Sequence, residues 1–455
     1  MSMSSRTKKP VSSLHPALHF ESDLVSVGIL DASGRVGFVS RRTGQLPAYV
    51  SPQAASGHKY QIEDRSVHPA PAPYSRLKGR WDPADLERFC KDGTSPTFVE
   101  FLSYVRSELL GQIEFARPEI ASLVSCWIAG TYFYPLFTAY PRLNVTGRKG
   151  SGKSKLLQVI SATAFNGLHM VAPTGATLFR LIEPLRPTLC LDEMERLDKG
   201  ELGTIGSILN AGYKAGISVP RTEEIRGQRT VQDYDTYAPI ALAGIQGVNL
   251  VLADRAITIV MQRGCDKTRL NAEIDESDPA FAAIRAMGYR LALTDAPVVV
   301  CGLNAVRTQQ DTFMILEGRP LELFRPLIAL ALLAKAEGDE SFLADLSVLV
   351  REDSREVLDP EAMRVFVELE KRLQAAPSIT VFPKDLTGAT DDSWSTPEQV
   401  GRLLQALGFR PGKRKSAGQP YTITREQFRE QARRYGYPVE LPELESVAEP
   451  QPGRV

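Results

Sequence analysis

The chain has 455 residues, 43% of them hydrophobic, and its 54 Lys and Arg balance 54 Asp and Glu to a formal net charge of zero. That length gives a prior of about three domains, each large enough to bury a core without disulfides or metals, and the hydrophobic fraction excludes a wholly disordered chain. Zero net charge neither demands nor excludes a nucleic-acid partner, so only local clusters of charge speak to that question. The five cysteines are odd in number, scattered and free of C-x-x-C spacing. Neither a disulfide framework nor a zinc site is indicated, and a reducing cytoplasm is the expected location. The most apolar runs, over 121–137 and 327–334, are interrupted by polar residues and Pro135 or are too short, so no membrane span is expected.

Residues 1–20 are polar and patternless and read as a disordered tail. A small β-rich module is expected over 21–66, because Val25, Val27 and Ile29 alternate on one face, a turn follows from Asp31 to Gly34, and Val36 and Phe38 resume the alternation. Pro69, Pro71 and Pro73 mark a linker over 67–80. Helices take over across 81–134. Asp82 and Pro83 supply a cap and a first-turn proline, Ser95 and Pro96 precede an apolar period from Phe98 to Leu109, and Pro118 and Glu119 open a third helix. The aromatics Trp127, Tyr132, Phe133, Tyr134 and Phe137 read as core packing in preference to a base-stacking surface.

An ATPase core is expected over 135–265. An apolar strand enters the run Gly147, Arg148, Lys149, Gly150, Ser151, Gly152, Lys153, Ser154 and Lys155, and an apolar-periodic helix leaves it. This is the spacing of a phosphate-binding P-loop. Its three glycines let the backbone turn so that successive N–H groups point into one concavity, and the following helix adds the partial positive charge of its N-terminus. Lys153 would reach the β- and γ-phosphates and Ser154 would ligate the Mg²⁺ that bridges them, so ATP and Mg²⁺ are the expected ligands.

The second candidate motif is the short apolar run from Thr188 that ends in Asp192 and Glu193. Alone it is weak, since a strand end with a solvated turn reads the same way. Its order and distance after the loop suit a neighbouring parallel strand, where Asp192 would hold the Mg²⁺ hydration shell and Glu193 would polarise the attacking water. Phosphoryl transfer to a small acceptor needs only the first carboxylate, so the pair favours hydrolysis over a kinase. A helix is expected over 202–213, then an exposed β-hairpin carrying Arg221, Arg226 and Arg229 with Lys214 just ahead, all four candidate nucleic-acid contacts. Apolar strands over 239–243 and 256–261 complete the core.

The segment 130–263 resembles an AAA+ ATPase, with an order of parts similar to superfamily 3 and minichromosome maintenance helicases. It is most similar to the ATPase domains of bacterial, phage and plasmid primase-helicase proteins. The residues that carry this are Leu209, Asn210, Ala211 and Gly212; Pro239 to Ile245; Leu252, Ala253, Asp254 and Arg255; and, further on, Gly318 to Leu327. The resemblance implies an α/β P-loop NTPase core with a parallel sheet and a homo-oligomeric ring. It makes Arg255 a candidate arginine finger acting on the neighbouring subunit, and Arg319 a candidate nucleotide-sensing arginine on a helical lid over 266–375. A local ion pair with Asp254 is the competing reading of Arg255. One departure is that the strand ending in Gly244 offers Gln246 as its first polar side chain, where such enzymes usually carry a polar sensor at the strand end.

The region 338–375 is acid-rich, for which a solvated helix face suffices. A winged-helix-like module is expected over 376–437, with a helix over 397–407 and a wing over 410–424. Lys413, Arg414 and Lys415 are its candidate DNA contacts, within a wider cluster of Arg410, Arg425, Arg429, Arg433 and Arg434. Such a cluster suits phosphate-backbone contact, and a solvated basic face is the alternative. Residues 438–455 read as a disordered tail. The expected function is an ATP-driven motor on single-stranded or forked DNA, as in replication of a mobile element alongside a primase. A protein-remodelling or defence ATPase is the alternative.

Overall fold

In the computed structural model the described residues are 13–50, 53–55, 59–62, 65–67, 75–194, 199–225, 228–243, 254–308, 316, 318–353, 360–387, 396–414, 416, 418–435, 437, 439 and 441. Contacts divide the chain into two units, residues 1–350 and 351–455.

The first unit begins with the strands β1 (Leu18–Phe20), β2 (Leu24–Leu30), β3 (Val36–Arg42) and β4 (Ala48–Val50), an antiparallel sheet in chain order. The expected hairpin closes where Asp31 Oδ1 accepts from the Arg35 N–H at 2.8 Å. Leu18, Val25, Val27 and Val39 of this sheet share one core with Trp81, Phe89 and Tyr289, so most of its apolar face is buried against helices further along. A second antiparallel sheet holds β5 (Gln53–Ala55), β6 (Lys59–Ile62) and β7 (Arg65–Val67). Helix α1 (Pro83–Asp92) is capped by Asp82, as expected. Helix α2 (Phe98–Gln112) is capped by a Thr97–Glu100 capping box. Helix α3 (Glu119–Thr131) is buried from Ala121 onward, and Trp127, Tyr132, Phe133, Tyr134 and Phe137 are all core residues.

The central layer alternates β8 (Arg142–Gly147), α4 (Lys153–Thr163), β9 (Gly167–Val171), α5 (Gly175–Leu185), β10 (Thr188–Asp192) and α6 (Lys199–Ala211). The antiparallel hairpin β11 (Ser218–Ile225) and β12 (Gln228–Asp235) follows, then β13 (Ile240–Ala243) and β14 (Ala256–Met261). Five strands form a parallel sheet in the order β14-β8-β13-β10-β9. The acidic strand β10 is thus parallel to β8 as expected, but β13 lies between them. Both faces of the sheet are covered, which accounts for its strongly apolar strands. Leu189, Leu191, Ile240 and Leu242 pack with α5 and α6 on one side. On the other, Leu143, Val145, Ala241 and Ile259 pack with Leu156, Leu157 and Ile160 of α4.

The C-terminal end of α4 is held by other segments. Arg80 Nη2 donates to Ser161 O at 3.1 Å and Ala164 O at 3.0 Å, Arg285 Nη1 to Ala162 O at 2.7 Å, and Tyr132 Oη to Thr163 O at 2.7 Å. These carbonyls have no partner within the helix, and two guanidinium groups also suit the negative end of its dipole. The unit continues through α7 (Lys267–Asn271), α8 (Pro279–Thr294), α9 (Ala296–Thr308), α10 (Gly318–Ala336) and α11 (Ser341–Asp353).

The second unit packs α12 (Pro360–Leu373), β15 (Ser378–Val381), α13 (Pro397–Ala406), β16 (Tyr421–Thr424) and α14 (Arg425–Arg434) around Phe366, Leu369, Val400, Leu404 and Phe428. Helix α12, which the expected boundaries give to the lid, belongs here because its apolar stripe Ala362, Val365, Phe366, Leu369 and Leu373 fills this core. The wing also differs from expectation. The described residues of 410–420 contain no strand, and β16 pairs antiparallel with β15, with a bridge between Pro411 and Tyr421. Among the described residues no helix is long and apolar enough to cross a membrane.

Candidate nucleotide site

Strand β8 ends at Gly147 and α4 starts at Lys153, so the loop between them lies at the C-terminal edge of the parallel sheet. Gly147 has φ 146°, and a Cβ there would lie 2.4 Å from Met261 O of the adjacent strand and 2.6 Å from Ser151 Oγ. Gly152, the N-cap of α4, has φ 90°. The loop therefore needs glycine for two separate reasons, close approach and a left-handed turn. It leaves the first-turn amides of α4 at the open end of the helix. Lys153 Nζ lies over the loop, 2.8 Å from Gly147 O and 3.2 Å from Arg148 O. Arg148, Lys149, Gly150 and Ser154 are exposed, whereas Ser151 is buried and its Oγ has no hydrogen-bond partner. Lys155 turns aside to donate to Arg269 O, and burial pushes its ammonium pKa down.

A cleft beside the loop is lined by residues without a motif, among them Ile113, Glu114, Met261, Gln262, Arg269 and Leu270. Glu114 Oε2 accepts from the N–H groups of Cys265 and Asp266 at 2.8 and 2.9 Å, which pins the segment after β14 to the end of α2. Nothing in the sequence flagged Glu114, because its partners lie about 150 residues away.

Asp192 closes β10 at the same edge of the sheet and is 6% exposed. Its Oδ1 accepts from the Glu193 N–H at 2.9 Å. Its Oδ2 lies 3.6 Å from His169 Nε2, beyond hydrogen-bond length, and that buried nitrogen has no hydrogen-bond partner. His169, on the adjacent strand β9, escaped the sequence reading because a lone His on an apolar strand resembles any core residue. Glu193 adopts φ 51°, the left-handed region that a non-glycine residue enters at a cost. Ser154 and Asp192 offer a hydroxyl and a carboxylate, hard oxygen donors of the kind Mg²⁺ takes alongside substrate phosphates.

Arg255 and Arg319 lie elsewhere. Ala256 pairs with Arg142 and Met261 with Gly147, so Arg255 sits at the N-terminal edge of the sheet, roughly 20 Å along the strand from the loop. Arg255 Nη1 donates to Asn210 Oδ1 at 3.4 Å, and its guanidinium is 5.2 Å from the centre of the Tyr213 ring. Arg319 lies over the same ring at 4.9 Å and contacts the Tyr213 hydroxyl, Asp254 at 3.3 Å and Glu322 at 2.8 Å. Burial would lower the Arg319 pKa, but the Tyr213 hydrogen bond and the charges of Asp254 and Glu322 outweigh it and raise it. Arg319 is therefore not beside its own chain's loop, as a lid arginine acting on that loop would have to be. Lys214 is tied to Glu322 at 2.7 Å, and the hydrogen bond raises its pKa. Behind them Arg142 is fully buried, bonds to Leu209 O at 2.8 Å, and is pushed down to about 9 by burial.

The hairpin is less basic than its arginines suggest. Arg221 stacks on Phe179 at 4.7 Å, and Val219 and Tyr234 pack against the core on the same face. On the opposite face Arg229 stands across from Glu224, and Asp233 and Asp235 are exposed with them. Arg226 lies outside the described residues, as do Gln246, Leu252 and Lys415. Lys413 and Arg414 are exposed in the second unit. Arg425 is buried there, donating to Leu373 O at the end of α12 and to Gln374 O and Ala376 O just after it, so it is a helix cap and not a DNA contact.

No protein-family model matches the sequence, and no curated protein does. Among solved structures, two apo A-form structures of the NrS-1 C-terminal region align at 10% identity over 88% of this chain and 96% of theirs, with TM-scores of 0.32 and 0.29. NtrX from Brucella abortus in complex with ATP aligns at 12% identity over 66% of this chain and 69% of its own, with a TM-score of 0.19. Likeness this low transfers neither a fold nor a role.

Proposed function

We propose that this chain is an ATP-hydrolysing AAA+-type motor that acts on DNA as a ring of like subunits. The observation that carries the reading is the shape of the loop from Gly147 to Ser154. It is glycine-dependent, opens on a helix N-terminus, has a lysine ammonium over it, and shares a sheet edge with two adjacent carboxylates. An anion with several oxygens suits such a concavity, and a nucleoside triphosphate suits one with a cleft beside it.

In this reading the backbone amides of the loop and Lys153 bind the phosphates and hold the γ-phosphoryl group in line for attack. Ser154 and Asp192 would hold Mg²⁺, which when bound would supply positive charge against the charge that develops on the phosphoryl oxygens. Glu193 would accept a proton from the attacking water, with Asp192 beside it at the same edge of the sheet. The position of Arg255 and Arg319 at the far edge of the sheet supports the ring reading, in which they would serve another subunit's nucleotide. The DNA part rests on the exposed cations of the second unit, since the hairpin's outward face carries more acid than base among its described residues.

The test pairs two variants in nucleotide-binding and phosphate-release assays. Lys153→Ala is expected to lose binding or hydrolysis, while Glu193→Gln keeps ATP bound and stops turnover, because one residue neutralises phosphate charge and the other acts on water. Hydrolysis by Glu193→Gln at the parent rate would overturn the assignment.

A further inference from the structure

We propose that the second unit carries a groove that takes a DNA duplex and reads its sequence through helix α13. The choice of DNA as partner rests on the function proposed above; the groove itself does not depend on ATP hydrolysis.

Helix α13 starts in a Thr396–Gln399 capping box and buries Val400 and Leu404 in the core. That orientation leaves Glu398, Arg402 and Gln405 exposed, and their spacing of four and then three residues sets them on one stripe. The stripe lines a groove. One wall is Phe382, Pro383 and Lys384, the other is the loop carrying Arg414 and Gln419, and Gly401 with Tyr421 forms the floor. The floor is held in place because Tyr421 Oη donates to Gly401 O at 3.1 Å and accepts from Gln405 Nε2 at 3.2 Å. That contact orients the Gln405 amide, which still offers its oxygen and second N–H to a ligand.

The chemistry of the walls differs from that of the stripe. Lys384 and Arg414 both line the groove as exposed cations, and exposed Lys413 precedes Arg414 in the chain, which supplies the charge that phosphate contact requires. Between them the helix presents an arginine, a glutamine and a glutamate. These are the side chains whose donor and acceptor patterns match guanine, adenine and cytosine edges in a major groove wide enough to admit a helix. An acidic protein would be matched by a uniformly basic groove and would be opposed by Glu398. Several other basic residues near the C-terminus are committed elsewhere: Arg425 caps α12, Arg434 pairs with Glu430, and Arg429 donates to Leu441 O. Arg402, Lys384 and Arg414 are the cations that line the groove.

The experiment uses the full chain without nucleotide, so that it stands apart from the ATPase assignment. Binding to a fluorescent duplex of roughly two helical turns is followed by anisotropy against salt, and a randomised duplex pool is selected on the same protein. We expect affinity to fall with salt, and Lys384→Ala with Arg414→Ala to lower the slope by about two charges' worth for every duplex. The neutral change Gln405→Ala should leave the slope unchanged and relax the selected sequence at one position by on the order of tenfold to a hundredfold. All these residues are exposed or partner only Tyr421, and a thermal melt confirms that each variant folds. No duplex binding by the parent at low salt, or binding unchanged in the Lys384–Arg414 double variant, overturns the groove. Binding without sequence enrichment, or enrichment unaltered by Gln405→Ala, overturns α13 as the reader. Loss of ATP hydrolysis in Lys153→Ala with duplex binding intact leaves the groove standing and separates the two assignments.

Discussion

Arg319 Nε lies 3.3 Å from Asp254 Oδ2, which brings an arginine of α10 to the turn that carries Arg255. Tyr213 holds both guanidinium groups against its ring. The two arginines therefore form one patch, at the opposite edge of the sheet from their own loop.

For that patch we expect Arg255→Ala to retain ATP and lose turnover by about three orders of magnitude, with Arg319→Ala losing turnover in the same direction. Mixing Arg255→Ala with Lys153→Ala under subunit exchange should restore hydrolysis, because an interface taking its loop from the first and its arginines from the second is complete. Confirmed exchange with no recovered activity would show that Arg255 works within its own subunit or only structurally.

Glu193 offers a test in which stability and activity separate. Its φ of 51° is open to glycine and strongly disfavoured for a β-branched residue. Glu193→Gly should abolish hydrolysis with no loss in thermal melting temperature, whereas Glu193→Val should lose hydrolysis and also about 1–2 kcal/mol of stability. Equal melting temperatures for the two would mean that the turn relaxes without cost.

Gly147→Ala places a methyl group against Met261 O and Ser151 Oγ. Since backbone is the obstacle on one side, the loop has to shift. We expect ATP affinity to fall at least tenfold and stability by about 1–3 kcal/mol, read by calorimetric titration and denaturant melts. Unchanged affinity would remove the loop shape from the argument.

The hairpin supplies a contrast with the groove of the second unit. Arg221 packs over Phe179, so Arg221→Ala should cost roughly 0.5–1 kcal/mol of stability and leave duplex affinity within about twofold. A large loss of DNA affinity with unchanged stability would return the hairpin to the role first expected of it.

Much of the core was legible because its signals are local. Alternation marked β2 and β3, Asp82 marked the start of α1, and the strand from Thr188 to Asp192 ended where its carboxylates begin. The glycine spacing located the loop for the same reason. What could not be read depends on partners distant in sequence. Glu114 and the Cys265 N–H are far apart along the chain, as are Arg425 and the carbonyls at the end of α12. A count of arginines made the hairpin look basic, but pairing Arg229 with Glu224 and turning Arg221 onto Phe179 follow from strand register, which composition does not contain. Helix α12 was assigned by its acidic residues, and its place was decided by its apolar stripe.

The last turn of α4 is gripped from three places by Arg80, Tyr132 and Arg285, and Arg80 also reaches Gly167 O at 3.1 Å. The residue before Arg80, Gly79, donates its N–H to Leu30 O at 2.8 Å, at the end of β2. A tether one residue long thus joins the N-terminal sheet to the foot of the helix whose head forms the loop. With its foot moored in this way, the helix is braced at the end opposite the loop, and the N-terminal sheet shares in that bracing through Gly79 and Arg80.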